Sequence, residues 1–315
     1  MITYRVMNPG DISAGLSLCR AVGWNQVARD WELFLQVNPQ GCLVAVRDSG
    51  STSRSGSVER GSTSRGGSVE RGSTSRSGSV ERSEVVGTVT TVRYDDRFSW
   101  IGMVLVDPVM QRQGIGNGLL QHALEILSKE KTVKLDATPA GHEVYQKLDF
   151  TDEYAFTRMH LHKIMPDQLP ASPALPLQKG DIPEVLEFDR DVFGADRALI
   201  LEWLREGAPE LAFVTRKQGR ITGYCFGRHG HNFTQIGPVI AADVNQAIHV
   251  ATAAMRNAGK GPVIMDILHH TSAWTHTIGN LGFVELRRLT RMYKGSNAWP
   301  GLPQKQFAIL GPEFG

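Results

Sequence analysis

Residues 99–129 constrain this chain more than any other stretch. They open Ser-Trp-Ile-Gly-Met-Val-Leu-Val-Asp-Pro-Val-Met-Gln-Arg-Gln-Gly-Ile-Gly-Asn-Gly-Leu-Leu and run on in a helical pattern. Positions 100–106 form an apolar run of strand length. Asp107-Pro108 stops it, since proline donates nothing to a ladder and biases its predecessor toward extended geometry. Beyond it, Ile115, Leu119, Leu120, Ala123, Leu124 and Leu127 fall on one face of an amphipathic helix. Three alternating glycines, Gly114, Gly116 and Gly118, open that helix although glycine is a poor helix former. Close backbone approach gives them a reason: free N–H groups at a helix start, with the helix dipole, cradle a phosphate.

Two common phosphate loops fail on their residues. A Walker loop needs Gly-Lys-Ser/Thr, and no lysine follows these glycines. A dinucleotide fingerprint needs a third glycine where Leu119 stands, and its first glycine directly after the strand, whereas residues 107–113 intervene. Asp136 alone lies at a distance suited to a ribose contact.

The stretch resembles the acetyl-coenzyme A motif of the GNAT (Gcn5-related) N-acetyltransferases, Gln/Arg-x-x-Gly-x-Gly/Ala after a strand ending in an apolar-x-Val and Asp/Pro. Gln111-Arg112-Gln113-Gly114-Ile115-Gly116 fits it, with Val104-Leu105-Val106 as the strand end. The hexapeptide alone is unspecific; strand, proline, hexapeptide and helix in this order are specific. A second signature follows a strand at 133–137, with Tyr145 five residues before Phe150. Asp149 takes the usual glycine position, and aspartate tolerates left-handed geometry.

At 315 residues two domains are more natural than one, and 41% apolar content is ample for their cores. A formal charge of +2 favours neither nucleic acid nor a membrane surface as a partner. Cys19, Cys42 and Cys225 are widely spaced and form no CxxC, which suggests buried, reduced thiols. No leader-like or membrane-spanning run occurs, so a cytoplasmic enzyme is expected. The sequence sets no oligomeric state. His229 and His231, His269 and His270, and His276 lack helical ligand spacing, and no metal is expected.

A strand at 2–6 leads through Asn8-Pro9-Gly10-Asp11 into a helix, a second helix carries Trp31, Leu33, Phe34 and Val37, and a strand follows at 42–46. Residues 50–82 are a tandem repeat of eleven-residue units, Gly-Ser-Thr-Ser-Arg-Ser-Gly-Ser-Val-Glu-Arg, with Gly66 for serine in the middle copy. One valine per unit leaves little to bury, so a disordered insertion (48–83) in a hairpin is expected. Strands at 85–92 and 98–106 come next, and 159–162 is expected to close the first unit. Residues 166–176 are proline-rich and read as a linker. From 177 the pattern restarts. Gly180-Asp181-Ile182-Pro183 repeats the helix entry, and strands flank a turn at Lys217-Gln218-Gly219-Arg220. Gln235 to Ile240 stands where 104–108 stood, but no glycine motif follows, and Ile278 occupies the place of Tyr145.

The resemblance therefore implies an α/β (α+β) chain of two tandem GNAT folds, each a mixed, mostly antiparallel sheet flanked by helices. Residues 1–165 would be catalytic and 177–315 a degenerate copy. It implies an acetyl-CoA-dependent N-acetyltransferase acting on a small-molecule primary amine or a peptide amine by direct attack. Backbone groups of Val104, Leu105, Val106 and of Gln111, Arg112, Gln113, Gly114, Ile115, Gly116, Asn117 and Gly118 would hold the coenzyme, with Tyr145 as general acid. Tyr145 as a packed aromatic is the alternative. Trp24, Asn25, Glu32, Asp136 and Asp266 are candidate acceptor contacts, with core anchoring and a solvated face as the competing roles. The second half would help enclose the acceptor. The rival reading is a non-catalytic coenzyme A-binding scaffold or sensor.

Overall fold

The computed structural model describes residues 1–48 and 83–315; the tandem repeat lies outside the described residues. The first half runs β1 (Ile2–Val6), α1 (Ile12–Ala21), α2 (Ala28–Val37), β2 (Leu43–Asp48), β3 (Ser83–Tyr94), β4 (Phe98–Val106), α3 (Ile115–Ile126), β5 (Thr132–Ala137), α4 (Pro139–Gln146) and β6 (Thr151–Leu161). The second half repeats that order: β7 (Leu175–Pro176), α5 (Ile182–Phe193), α6 (Ala198–Gly207), β8 (Phe213–Lys217), β9 (Arg220–His229), β10 (Thr234–Ala241), α7 (Val244–Asn257), β11 (Val263–Leu268), α8 (Ser272–Asn280) and β12 (Val284–Gly295). A short strand, β13 (Gln306–Ile309), follows.

Among the described residues, all thirteen strands join one sheet in the order β1-β2-β3-β4-β5-β12-β6-β11-β13-β10-β9-β8-β7. The ladders are antiparallel except β4–β5 and β10–β11. This order departs from a closing strand confined to its own half. The segment read as 159–162 is the longer β6, which pairs with β11 (Leu161 opposite Val263) and with β12. In return β12 pairs with β5 (Arg291 opposite Asp136), so each half lends its last strand to the other. Period-two alternation specifies a strand and its faces but not its neighbour, which is why the exchange is invisible in the sequence.

Packing binds the halves further. One core joins Leu18, Trp31, Leu33 and Phe34 of the first helix pair to Val185, Val192, Leu201 and Leu204 of the second, with Phe314 among them. A second core gathers α7 and α8 with β9–β11 and β13, and a third packs α3 on β2–β5. All three cysteines are free and buried. No described helix is long and apolar enough to cross a membrane.

The two parallel pairs determine what each half can hold. β4 and β5 pair only at Ser99–Val133, Trp100–Lys134 and Ile101–Leu135, after which they splay. β10 and β11 likewise pair only at Thr234–Val263 and Gln235–Ile264. There β13 enters the gap, with Val239 opposite Ala308 and Asp266 opposite Ile309. The first V is open and the second is filled by the chain itself.

Candidate functional site

The open V begins at a bulge. Pairing of β3 with β4 shifts register between Thr88 and Thr90, and Met103 takes φ 52°. A bulge bends its strand and leaves one residue out of the ladder. Thr88 Oγ1 donates to the Met103 carbonyl at 2.9 Å and holds it there. Past the bulge, Leu105 and Val106 stay paired to Thr88 and Gly87 on one side, and the other side faces the splay. The Leu105 side chain is buried in the core, so only its backbone is available to a ligand; Val104 and Val106 are half-buried.

Gly114 adopts φ 80° and would meet nothing within 4 Å of an added Cβ, so a left-handed turn over open space is what it supplies. Helix α3 starts directly after it. The Ile115, Gly116 and Asn117 N–H groups have no acceptor among the described residues, while Gly118 N–H bonds Gly114 at 2.9 Å. Gln111, Arg112 and Gln113 are exposed around this mouth. Gly118 has a different reason to be glycine: an added Cβ would run into the Tyr4 hydroxyl. It packs under Tyr4.

A cavity of about 110 Å³ sits where β4 leaves β5, lined by Trp24, Gln26, Met103, Val104, Tyr145 and residues of the second half. Thr138 caps α4 by accepting from Gly141 N–H at 3.3 Å, and the single short helix carries Tyr145 to the cavity wall. Its ring meets Phe150 edge-on at 6.0 Å, and its hydroxyl has no hydrogen-bond partner among the described residues. Burial pushes the phenol up to about 12. Asp149 takes φ 63°, the left-handed turn that lets Phe150 fold back.

Carboxylates surround this cavity, each backed by arginine. Asp136 accepts from Arg291 Nε and Nη2 at 2.9 Å each, and Arg291 lies over the Trp100 ring at 4.6 Å. Burial raises Asp136 to about 6, against the pull of Arg291. Asp266 is fully buried and holds Arg158 through two bonds of 2.7 Å; Arg158, not Asp266, lines the cavity. Glu313 shares Arg228 with Asp30, accepts from Gln26 Nε2 at 2.8 Å, and faces the same space. Burial opposes its ionisation, but Arg228 and Arg158 outweigh it and hold the carboxyl below its ordinary range.

Of the expected acceptor contacts, Trp24, Asn25 and Asp136 line the cavity. Asn25 is already engaged: its Oδ1 accepts from Asn232 and Phe233 N–H, and its Nδ2 donates to the Phe233 carbonyl. It ties the α1–α2 connection to the second half. Glu32 is exposed and lies apart from the cavity lining, because Asp30, Trp31, Leu33 and Phe34 take the inward positions of α2. Trp274 is buried in the second core, its Nε1 donating to Phe307 O at 2.9 Å. Sequence reasoning missed Gln26, Arg158, Arg287 and Glu313. The first two gave no motif; Arg287 depends on strand exchange, and Glu313 on where residues 310–315 run. That run is guided by Gly102, whose added Cβ would come within 2.8 Å of the Glu313 carbonyl. Among the described residues no three potential ligands cluster to hold a metal.

Two family models described as "Acetyltransferase (GNAT) domain" match residues 79–152 and 185–308. The chain is 28% identical over 236 residues to the holothin acyltransferase of Pseudoalteromonas sp. (strain SANK 73390), covering 74% of this chain and 78% of that one. In fold it is similar to the crystal structure of a putative acetyltransferase from Pyrococcus horikoshii, with TM-score 0.72 and 22% identity, covering 100% of this chain and 96% of that one. It is also similar in fold to a tandem GNAT protein from the clavulanic acid biosynthesis pathway, with TM-score 0.60 and 14% identity, covering 93% and 98%.

Proposed function

This chain belongs to the GNAT acetyltransferase superfamily in its tandem form, and from that premise we propose that it is an acetyl-coenzyme A-dependent N-acetyltransferase with one active centre, in the first half, acting on a primary amine. The reading is carried by one juxtaposition: the unpartnered Tyr145 hydroxyl shares a cavity with the splayed end of β4. The site suits the coenzyme by its own chemistry. Three unbonded N–H groups at the start of α3, beside a glycine with open space above it, fit a pyrophosphate. Gly114, Ile115, Gly116 and Asn117 would hold that group, with Gln111, Arg112 and Gln113 at the mouth. The free edge of Val104 to Val106 would take the pantetheine arm.

When bound, acetyl-coenzyme A supplies an acetyl group activated as a thioester. Backbone N–H groups at the β4 splay stabilise negative charge developing on the acetyl oxygen. Tyr145 would give its hydroxyl proton to the departing sulfur and regain one as the attacking nitrogen sheds its own on becoming an amide; with its pKa near 12 the resting phenol is protonated at every working pH. No carboxylate is assigned as base. Both Asp136 oxygens are taken by Arg291, and Glu313 is held ionised by Arg228. The amine therefore enters as its neutral fraction.

The test is Tyr145→Phe. Turnover, read as free-thiol release, should fall about 10²-fold or more, the usual scale of general acid catalysis. Calorimetry should find coenzyme affinity unchanged and one site per chain. Full turnover in the variant, or two equivalent sites, would refute the assignment.

A further inference from the structure

Charge is not distributed evenly around the cavity. Asp136 with Arg291, and Asp266 with Arg158, are balanced pairs. On the wall formed by Gln26 and Glu313, two carboxylates, Asp30 and Glu313, share the single guanidinium of Arg228. That wall also holds Gln26 Oε1, a buried acceptor without a donor. On another part of the lining stands Arg287, half-buried, with no ion pair and no hydrogen bond among the described residues. Its cross-strand partner is Arg158, a like charge.

Arg287 reaches this position through a defined device. The β12–β6 ladder shifts register between Glu285 and Arg287, leaving Leu286 unpaired and exposed. Bulges re-aim the side chain that follows them. Glu285, the nearest acid on β12, is committed to Arg288 at 2.9 Å and does not neutralise Arg287. A partly desolvated guanidinium beside a second one, without a counter-ion, is electrostatically incomplete, and burial with Arg158 accordingly lowers its pKa. An anion completes it, and a guanidinium fork matches a carboxylate in both plane and spacing.

We propose that the acceptor is an amine that also carries a carboxylate, an amino acid or a closely related compound, with its carboxylate on Arg287 and its amino end toward Gln26 and Glu313. The proposal rests on the N-acetyltransferase reading above and names its substrate class. It gives the exchanged strand a role in specificity: Arg287 belongs to the second half of the sequence but serves the first half's cavity.

The experiment compares matched acceptors, α-amino acids and ω-amino acids of three and four carbons, each against its own carboxamide, by free-thiol release. The carboxylate form of at least one pair should be preferred tenfold or more in kcat/KM once rates are corrected for the neutral amine fraction. Arg287→Gln should raise KM for the acid at least tenfold, leave its carboxamide unchanged, and leave the KM for acetyl-coenzyme A unchanged. Arg287→Lys should restore part of the preference, since charge returns without the fork. A readout free of turnover is thermal stabilisation of the coenzyme A complex by butanoate, expected in the wild type and lost in Arg287→Gln. Turnover of uncharged amines with no preference for acids in any pair would overturn this inference and leave the acetyltransferase reading standing. No thiol release with any amine, together with no coenzyme binding, would overturn both.

Discussion

Phe314→Ala tests whether the two halves form one cooperative unit. Phe314 is fully buried, stacks on Phe34 of α2 at 4.6 Å and lies 6.0 Å from Trp203 of α6. Its carbonyl accepts from the Tyr94 hydroxyl at 2.6 Å. One ring thus plugs the joint between the first and second helix pairs. Truncating a buried phenylalanine costs about 3–5 kcal/mol, transfer and cavity terms together. The lower end applies where walls collapse, and these walls are aromatic side chains anchored on both halves, so about 4 kcal/mol is expected. With an m-value of about 3 kcal/mol/M, the urea midpoint should fall by roughly 1.3 M. Tryptophan fluorescence and far-ultraviolet circular dichroism should both follow one coincident transition, because the core involved contains residues of both halves. A loss under about 1 kcal/mol, or a transition in which one half unfolds alone, would refute the shared core.

Two further outcomes separate roles within the site. Gly116→Glu places a carboxylate among the free N–H groups of α3 and should raise the KM for acetyl-coenzyme A severely; Gly118→Ala should leave it unchanged but lower stability by roughly 1 kcal/mol, overpacking of about 1–3 against Tyr4 less about 1 gained in helix propensity. The kcat/KM for the acceptor should rise about tenfold per pH unit from pH 6 up to the pKa of the amine, with no fall below pH 10, since Tyr145, near 12, is still protonated there. A break near pH 6 would instead identify Asp136 as a base, and a descending limb below pH 10 would remove Tyr145 as the acid.

What the sequence made legible was local. The strand, stop and glycine turn of residues 99–129 and the left-handed Asp149 follow from backbone rules acting over a few residues, and each is found where those rules put it. The missing parts depend on partners distant in sequence. Nothing near Gly118 says that Tyr4 packs upon it. Nothing in alternating strands such as β6 and β12 says that they change places, so Arg287 could not be connected with the cavity. Asp136 and Asp266 were visible as polar residues ending parallel strands, but their arginines, Arg291 and Arg158, arrive on the exchanged strands. A carboxylate that looks free to touch a substrate is thereby turned into a counter-ion.

The filled V in the second half ties these features together. An open gap between splayed parallel strands leaves backbone groups in need of partners, and in an enzyme of this kind a ligand's extended arm can satisfy them. In the second half β13 supplies those bonds permanently, through Val239–Ala308 and Asp266–Ile309. Asp243 caps α7 with its own side chain, accepting from Gln246 N–H at 3.0 Å, where the first half leaves N–H groups free. The same segment then continues into the first half, where Trp100 Nε1 donates to the Pro312 carbonyl at 2.9 Å and Glu313 lines the cavity. One path taken by residues 306–315 thus both fills the gap of the second half and brings Glu313 to the cavity of the first.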